Sequence, residues 1–393
     1  MTGPGAPRKL WQEGHIVLAP DKFKGSLTAP EVAAHLAAGL RRVRPHLPVV
    51  VAPVADGGDG TVDAVVASGF ARFQTNVTGP LGDPVVASFA MRGDSAVVEL
   101  AEASGLRRAP EPTSETALAA TSFGTGELIR AAAARGARRI VLGLGGSACT
   151  DGGVGLLSAL GARFVDERGR PIPPGGAGLR TVARIDTTDL LRVPVTVASD
   201  VDNPLLGPRG AANVYARQKG ASEADIAELE SGLAHLAHIV RRDLGIDVAD
   251  TPGAGAAGGV GYAALAFLGA AVRPGIELIL DELGFAEQVE GARLVITGEG
   301  SLDRQTLHGK APVGVARAAA AAGVAVVAVA GRRELTDGQL RGAGIAAAYA
   351  LTDLEPDPAV CMREAGPLLA RLAADIAGEW LGDPLRAERR QHV

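Results

Sequence analysis

One local pattern recurs five times along the chain: an apolar run of strand type ends on a loop that sets Asp or Glu beside Gly or Lys. The five copies read HIVLAPDKFKGS (15–26), VVVAPVADGGDGT (49–61), IVLGLGGSACTDGGVG (140–155), VTVASDVDNPLLG (195–207) and LVITGEGSLDRQTLHGK (294–310). In an open parallel α/β sheet, ligands bind at the loops that leave the carboxyl ends of the strands. The recurrence therefore constrains both the fold and the place of any site.

The pattern also organises the chain. Strand 15–19, helix 29–43, strand 49–53 and helix 60–68 alternate at the start. Strand 294–297, helix 313–321, strand 325–330, a short helix 337–343, strand 346–351 and an amphipathic helix 358–381 resume the alternation at the end, which predicts a doubly wound α/β domain built from both ends. Between them, short antiparallel strands at 75–77, 85–91 and 96–100 surround Gly-Pro and Gly-Asp turns. A helix 116–135 opened by Ser114, strand 139–144, a Gly/Pro-rich loop 168–178, strand 195–199 and a polar helix 223–242 follow. We expect residues 15–72 plus 286–393 to form one domain and 73–285 an inserted mixed α/β domain. The active site is then expected in an interdomain cleft that can close. Residues 1–14, rich in Gly and Pro with no apolar signal core, read as a mobile tail.

Length and composition agree with this organisation. At 393 residues the chain exceeds what one hydrophobic core usually supports. A formal net charge of -5 with 21% charged residues gives no general pull toward nucleic acid, so no nucleic-acid partner is expected. Apolar runs are too short for a bilayer span, which needs about 20 residues, so no membrane partner is expected either. Self-association into a homo-oligomer is left open. Two cysteines without paired spacing, Cys149 and Cys361, fit a reducing cytoplasm better than a disulfide or zinc site. Of 39 basic residues only five are lysine, Lys9, Lys22, Lys24, Lys219 and Lys310. Four of them sit beside glycine-containing loops, where a compact ammonium can neutralise a phosphate. Chance survival against a coding bias toward Arg is the competing explanation.

The motifs exclude some chemistries. Gly309-Lys310 is followed by Ala311, and Arg304 occupies the first-glycine position, so there is no P-loop. Two dinucleotide-type patterns, Gly143-x-Gly145-x-x-Ala148 and Gly253-x-Gly255-x-x-Gly258, are weak signals, and the second is equally well explained by close helix packing. No HExxH metal motif and no Gly-x-Ser-x-Gly elbow occurs. His235 and His238 read as surface residues of a polar helix, while His308 lies inside the Gly-Lys loop as a ligand contact.

What remains favours anions and a hard cation. The loop from Gly145 and Gly146 to Gly153 can converge backbone N–H groups on an anion, with Ser147 and Thr150 as hydroxyl donors and Asp151 to hold a metal or receive a proton. Asp21, Asp56, Asp59, Asp151, Asp200, Asp202, Glu299 and Asp303 occupy loop positions, and carboxylates of this kind suit Mg²⁺. Each singly is commoner as a cap or turn residue. Jointly with Lys22, Lys24 and Lys310 they supply the parts of phosphoryl transfer: cations for phosphates, carboxylates for the metal, and one carboxylate for a hydroxyl.

Seven segments then carry a resemblance: APDKFKGSLTAPEVA (19–33), PVADGGDGT (53–61), GGSACTDGG (145–153), SDVDNPLLG (199–207), QKGAS (218–222), PGAGAAGG (252–259) and TGEGSLDRQTLHGK (297–310). In order and over nearly the whole chain, they resemble the bacterial glycerate kinases of the type-I family. The resemblance implies a cytoplasmic enzyme with a flavodoxin-like domain interrupted by a second α/β domain. It implies ATP and Mg²⁺ as cofactors, D-glycerate as small-molecule substrate and 2-phosphoglycerate as product, with the 3-phosphate as alternative. Two departures touch local loops: Tyr-Ala-Arg precedes Gln218 where relatives have Gly-Pro, and Arg332-Arg333-Glu334 replaces a shorter polar turn.

On this basis the expected catalytic residues are Asp200, Lys310 and Lys22, with Asp56 and Asp151 as rivals for the role of Asp200. Expected binding residues are Asp21, Lys24, Ser26, Gly57, Gly58, Gly145, Gly146, Ser147, Thr150, Asn203, Lys219, Gly298 and His308. Expected metal ligands are Asp56, Asp59, Asp151, Glu299 and Asp303. An NAD-dependent oxidoreductase or a non-catalytic hydroxy-acid binding module would leave the lysine and acid sets idle, and Mg²⁺-dependent ATP consumption separates both from a kinase.

Overall fold

The structure is a computed structural model that describes residues 14–109 and 111–381. The expected N-terminal tail lies almost wholly outside them. Strands β1 (His15–Pro20), β2 (Val49–Val51), β3 (Ala71–Thr78), β4 (Pro84–Arg92), β5 (Ser95–Glu99) and β6 (Arg139–Gly143) come first. They are followed by β7 (Arg163–Val165), β8 (Arg184–Asp186), β9 (Val195–Ala198), β10 (Ala271–Arg273), β11 (Ala292–Leu302), β12 (Val326–Arg333) and β13 (Ala347–Ala350).

The chain divides into two compact units, one reaching to Val54 and resuming at Leu280, the other Ala55–Ile279. In the first, β13-β12-β11-β1-β2 form a sheet whose neighbours are all parallel. Numbered within the unit, that order is 2-1-3-4-5. β1, HIVLAP, is buried throughout and has the continuous apolar character of a parallel strand covered on both faces. Helices Ala29–Val43 and Ala365–Trp380 pack on each other and on this sheet around Leu36, Leu40, Leu369 and Ile376. The first is set by a capping box at Thr28 and Glu31.

In the second unit β10-β9-β6-β5-β4-β3 form a mixed sheet, parallel from β10 to β5 and antiparallel at β4 and β3. β7 and β8 make a separate antiparallel pair. The core runs from Phe89, Leu100 and Ile140 to Leu233 and Tyr262. Among the described residues no helix is long and apolar enough to cross a membrane.

Several elements differ from expectation for identifiable reasons. Helix Thr61–Ala67 packs on β4 and β5, so the chain passes between units near Val54, earlier than the boundary at 72. The expected helix 116–135 is two helices, Ser114–Ala119 and Phe123–Ala134, parted where Thr121 and Ser122 turn their side chains to Asp151. The last helix is likewise interrupted, between Pro358–Arg363 and Ala365–Trp380. Gly298, Glu299 and Gly300, expected in a turn, continue β11. A side chain at Gly298 would put its Cβ 2.4 Å from the Val329 carbonyl oxygen, so glycine permits the close pairing with β12.

Candidate active site

In the first unit the strand order reverses between β1 and β11, the position where open parallel sheets bind ligands. The loops on either side bring together several expected residues. Asp21 is buried and its N–H donates to the Gly298 carbonyl at 2.8 Å. Its Oδ1 accepts from the Lys22 N–H at 2.6 Å and lies 3.6 Å from Lys22 Nζ. Lys24 is exposed, and Ser26 donates to the Met362 carbonyl at 2.7 Å, fastening the KFKGS loop.

Glu299 is nearly buried and accepts a short hydrogen bond from the Thr306 hydroxyl, while its Oε2 lies 3.9 Å from Lys310 Nζ. Burial pushes its carboxyl up from the usual 4.5 to about 7. Thr306 and Lys310 oppose the shift, whereas the charges of Asp21 and Asp303 add to it. Asp303 turns its own loop, accepting from the Gln305 N–H at 2.8 Å while its N–H donates to Thr306 Oγ1 at 3.1 Å. Lys310 precedes helix Ala311–Ala320 as its N-cap residue. The side chain of His308 lies outside the described residues.

In the second unit, loops after β5, β6, β9 and β10 share one edge of the sheet, and the DGGDG loop lies across them. A Cβ on Gly57 would fall 2.6 Å from the Ala198 carbonyl oxygen, and one on Gly145 would fall 2.4 Å from Gly58 Cα. These glycines, expected to cradle phosphate, let two loops touch backbone to backbone. Gly146 has φ +70°, and a Cβ there would meet Asp59 Oδ1 at 2.5 Å.

Asp200 stands just beyond β9 and accepts from the Gly275 N–H at 2.9 Å. The residue is exposed overall, yet partial withdrawal of its carboxyl from water pushes the pKa up from 3.8 to about 6. Gly275 opposes this shift, and the charges of Asp56 and Glu277 reinforce it. Asp56 Oδ1 accepts from the Gly58 N–H at 3.1 Å. Asp59 pairs through Oδ2 with Arg107 Nε at 3.3 Å, and its buried Oδ1 has no hydrogen-bond partner.

Four expectations change. Asp151, expected on metal, is buried and saturated: Oδ2 accepts from Thr121 Oγ1 (3.2 Å), Ser122 N–H (2.8 Å), Ser122 Oγ (2.9 Å) and Gly155 N–H (3.2 Å), and Oδ1 from Gly153 N–H (3.0 Å). A cation would have to displace those donors, so Asp151 organises its loop. Lys219 is buried and donates to Ser147 Oγ (3.0 Å), the Cys149 carbonyl (2.5 Å) and Thr150 Oγ1 (3.5 Å), which fixes the loop from within. Burial lowers its pKa, opposed by Cys149 and Asp151. Three amides of the 145–153 loop, expected to face an anion, are spent within the protein: Gly145 N–H donates to the Gly57 carbonyl, Ala148 to that of Ser104 and Gly152 to that of Gly258. Asn203 accepts from the Tyr215 hydroxyl at 2.7 Å and donates to the Arg209 carbonyl at 2.8 Å, bracing its turn. The Gly253–Gly258 pattern is also packing, with a Cβ on Gly255 falling 2.3 Å from the Pro204 carbonyl oxygen.

Sequence reasoning missed Glu99. It is buried, accepts from the Gly60 and Val62 N–H groups at 3.0 and 3.1 Å, and burial pushes its carboxyl to about 7. Those bonds hold the start of helix Thr61–Ala67 and so the DGGDG loop. An acid ending the apolar run SAVVE was the available signal.

The chain is similar to known proteins over most of its length. A sequence model of the glycerate kinase family matches residues 16–381. The chain is 45% identical over 369 residues to the glycerate kinase of Halalkalibacterium halodurans, covering 92% of this chain and 97% of that protein. It is 46% identical over 329 residues to the glycerate 2-kinase of Escherichia coli K12, covering 82% and 86%. A crystal structure from Salmonella typhimurium LT2, provisionally named glycerate kinase 2, superposes with a TM-score of 0.83 at 41% identity over 96% of this chain and 99% of that one.

Proposed function

The chain belongs to the glycerate kinase family, and from that premise we propose that it transfers the γ-phosphoryl group of ATP to D-glycerate, giving 2-phosphoglycerate. The observation that carries the product assignment is the 46% identity to a glycerate 2-kinase. The 3-phosphate is the alternative product.

In the proposed mechanism Lys22 and Lys310 neutralise phosphate oxygens, and Lys24 contributes from its exposed position. Asp200 accepts the proton of the attacking hydroxyl. A carboxyl with a pKa near 6 is ionised at neutral pH yet remains a competent base. Asp21 steers Lys22, and Thr306 orients Glu299 beside Lys310.

Mg²⁺ is part of the proposal. Asp59 presents a buried oxygen without a partner, and Asp56 and Asp200 repel each other's charge, so a cation fits this chemistry. Among the described residues no three acid, His or Cys side chains form a complete metal cluster. Mg²⁺ usually takes one or two carboxylates and completes its shell with waters and substrate phosphates. When bound, it would offset charge developing on the transferred phosphoryl group.

We also assign the first unit to the flavodoxin-like class, supported by its all-parallel 2-1-3-4-5 order. A cytoplasmic location belongs to the same proposal. The test couples purified protein, ATP, Mg²⁺ and D-glycerate to enolase, with and without phosphoglycerate mutase. Signal without mutase identifies 2-phosphoglycerate. Signal only with mutase moves the reacting hydroxyl, and no ATP consumption removes the kinase assignment.

A further inference from the structure

Beside the Glu299–Lys310 loop, at the carboxyl ends of β11 and β12, lies an open cavity of about 760 Å³ lined by Asp303, Arg304, Gln305, Arg332, Glu334, Leu335, Thr336 and Gln339. Its volume falls within the roughly 300–1,000 Å³ of pockets that take drug-sized ligands, and far exceeds what a three-carbon acid fills. Two guanidiniums border it. Arg332 is braced at 3.1 Å on Ser301 Oγ and 3.4 Å from Glu334 Oε1. Arg304 has no ion-pair partner among the described residues. Leu335 supplies a buried apolar contact, while Gln305 and Gln339 add amides. The cavity is also joined to the site already described, because Asp303 in its wall donates its N–H to the Thr306 hydroxyl oxygen, and that hydroxyl donates to Glu299.

We propose that this cavity is the nucleotide subsite, with Arg304 and Arg332 holding the polyphosphate of a nucleoside triphosphate whose terminal phosphate points along the loop toward Lys310. Guanidiniums suit this task because their planar fork of donors matches phosphate oxygens. The assignment rests on the kinase function proposed above.

The test measures ADP affinity by titration calorimetry, and KM for ATP and for D-glycerate, in wild type, R304A, R332A and R333A. Arg333 pairs with Asp337 at 2.7 Å and does not line the cavity. Loss of one charge-assisted contact corresponds to roughly ten- to hundredfold weaker binding. R304A and R332A are expected to weaken ADP and raise KM for ATP by that factor, leaving KM for D-glycerate and the melting temperature near wild type, with R333A unchanged throughout. ADP affinity unchanged in both variants, or a rise confined to KM for D-glycerate, overturns the nucleotide assignment. Absence of D-glycerate phosphorylation by the wild type instead overturns the function, a separate outcome.

Discussion

At the carboxyl ends of the five-stranded sheet, the loops set two lysines against acids: Lys22 on Asp21 and Lys310 on Glu299. At the corresponding edge of the six-stranded sheet, the loops set acids against acids and glycines against backbone, and the one lysine there, Lys219, is buried and spent on loop carbonyls and hydroxyls. The difference separates two tasks that a phosphoryl transfer needs. In the proposed function the ammonium groups of the first unit would meet phosphate, and the carboxylates of the second would serve a hydroxyl or a cation. It also shows that a loop rich in Asp and Gly can be built mainly to hold itself together.

The largest test of this division is Asp200→Asn. We expect kcat to fall by roughly a hundred- to ten-thousandfold, the range of general base catalysis, with ADP affinity unchanged. In wild type, kcat/KM should fall as pH drops through about 6, where Asp200 takes up its proton. Near-normal turnover of the variant would move the base elsewhere.

Asp151→Asn probes the opposite claim, that a buried acid in the same unit is structural. Leaving several buried donors mismatched should cost roughly 3–5 kcal/mol, read as a lowered urea midpoint. A stable, inactive variant would restore Asp151 to the chemistry.

Glu99 gives a pH signature of the same architecture. Its carboxyl rises from 4.5 to about 7 on folding, so between those values the folded state holds a proton that the unfolded state has released. Stability therefore falls as pH rises through this window, by roughly 3 kcal/mol at most. Denaturation at pH 4.5 to 8 should show this slope in wild type and a flatter one in Glu99→Gln.

The smallest expected effect is Lys310→Ala, with kcat/KM for ATP reduced roughly ten- to hundredfold through loss of a charge-assisted phosphate contact. An equal loss seen only in KM for D-glycerate would reverse the assignment of tasks between the units.

Local alternation along the chain determined much of this protein: the α/β class, the pairing of its two ends in one unit and the loops on which chemistry can stand. Strand and helix periodicity, strand-end glycines and capping boxes act within a few residues, so they are legible without a partner. The roles of individual acids depended on tertiary structure. Asp151 and Asp200 look alike in sequence, each standing in a loop that follows a strand and directly after a hydroxyl residue, Thr150 or Ser199. One is enclosed by five donors from a broken helix and its own loop, and the other receives one N–H and faces two further carboxylates. Glu99 and Lys219 went unread in their structural roles because burial, which sets both their partners and their pKa, comes from segments dozens of residues away. The unit boundary near Val54 was likewise decided by which sheet helix Thr61–Ala67 packs against, a choice its own amphipathic sequence does not encode.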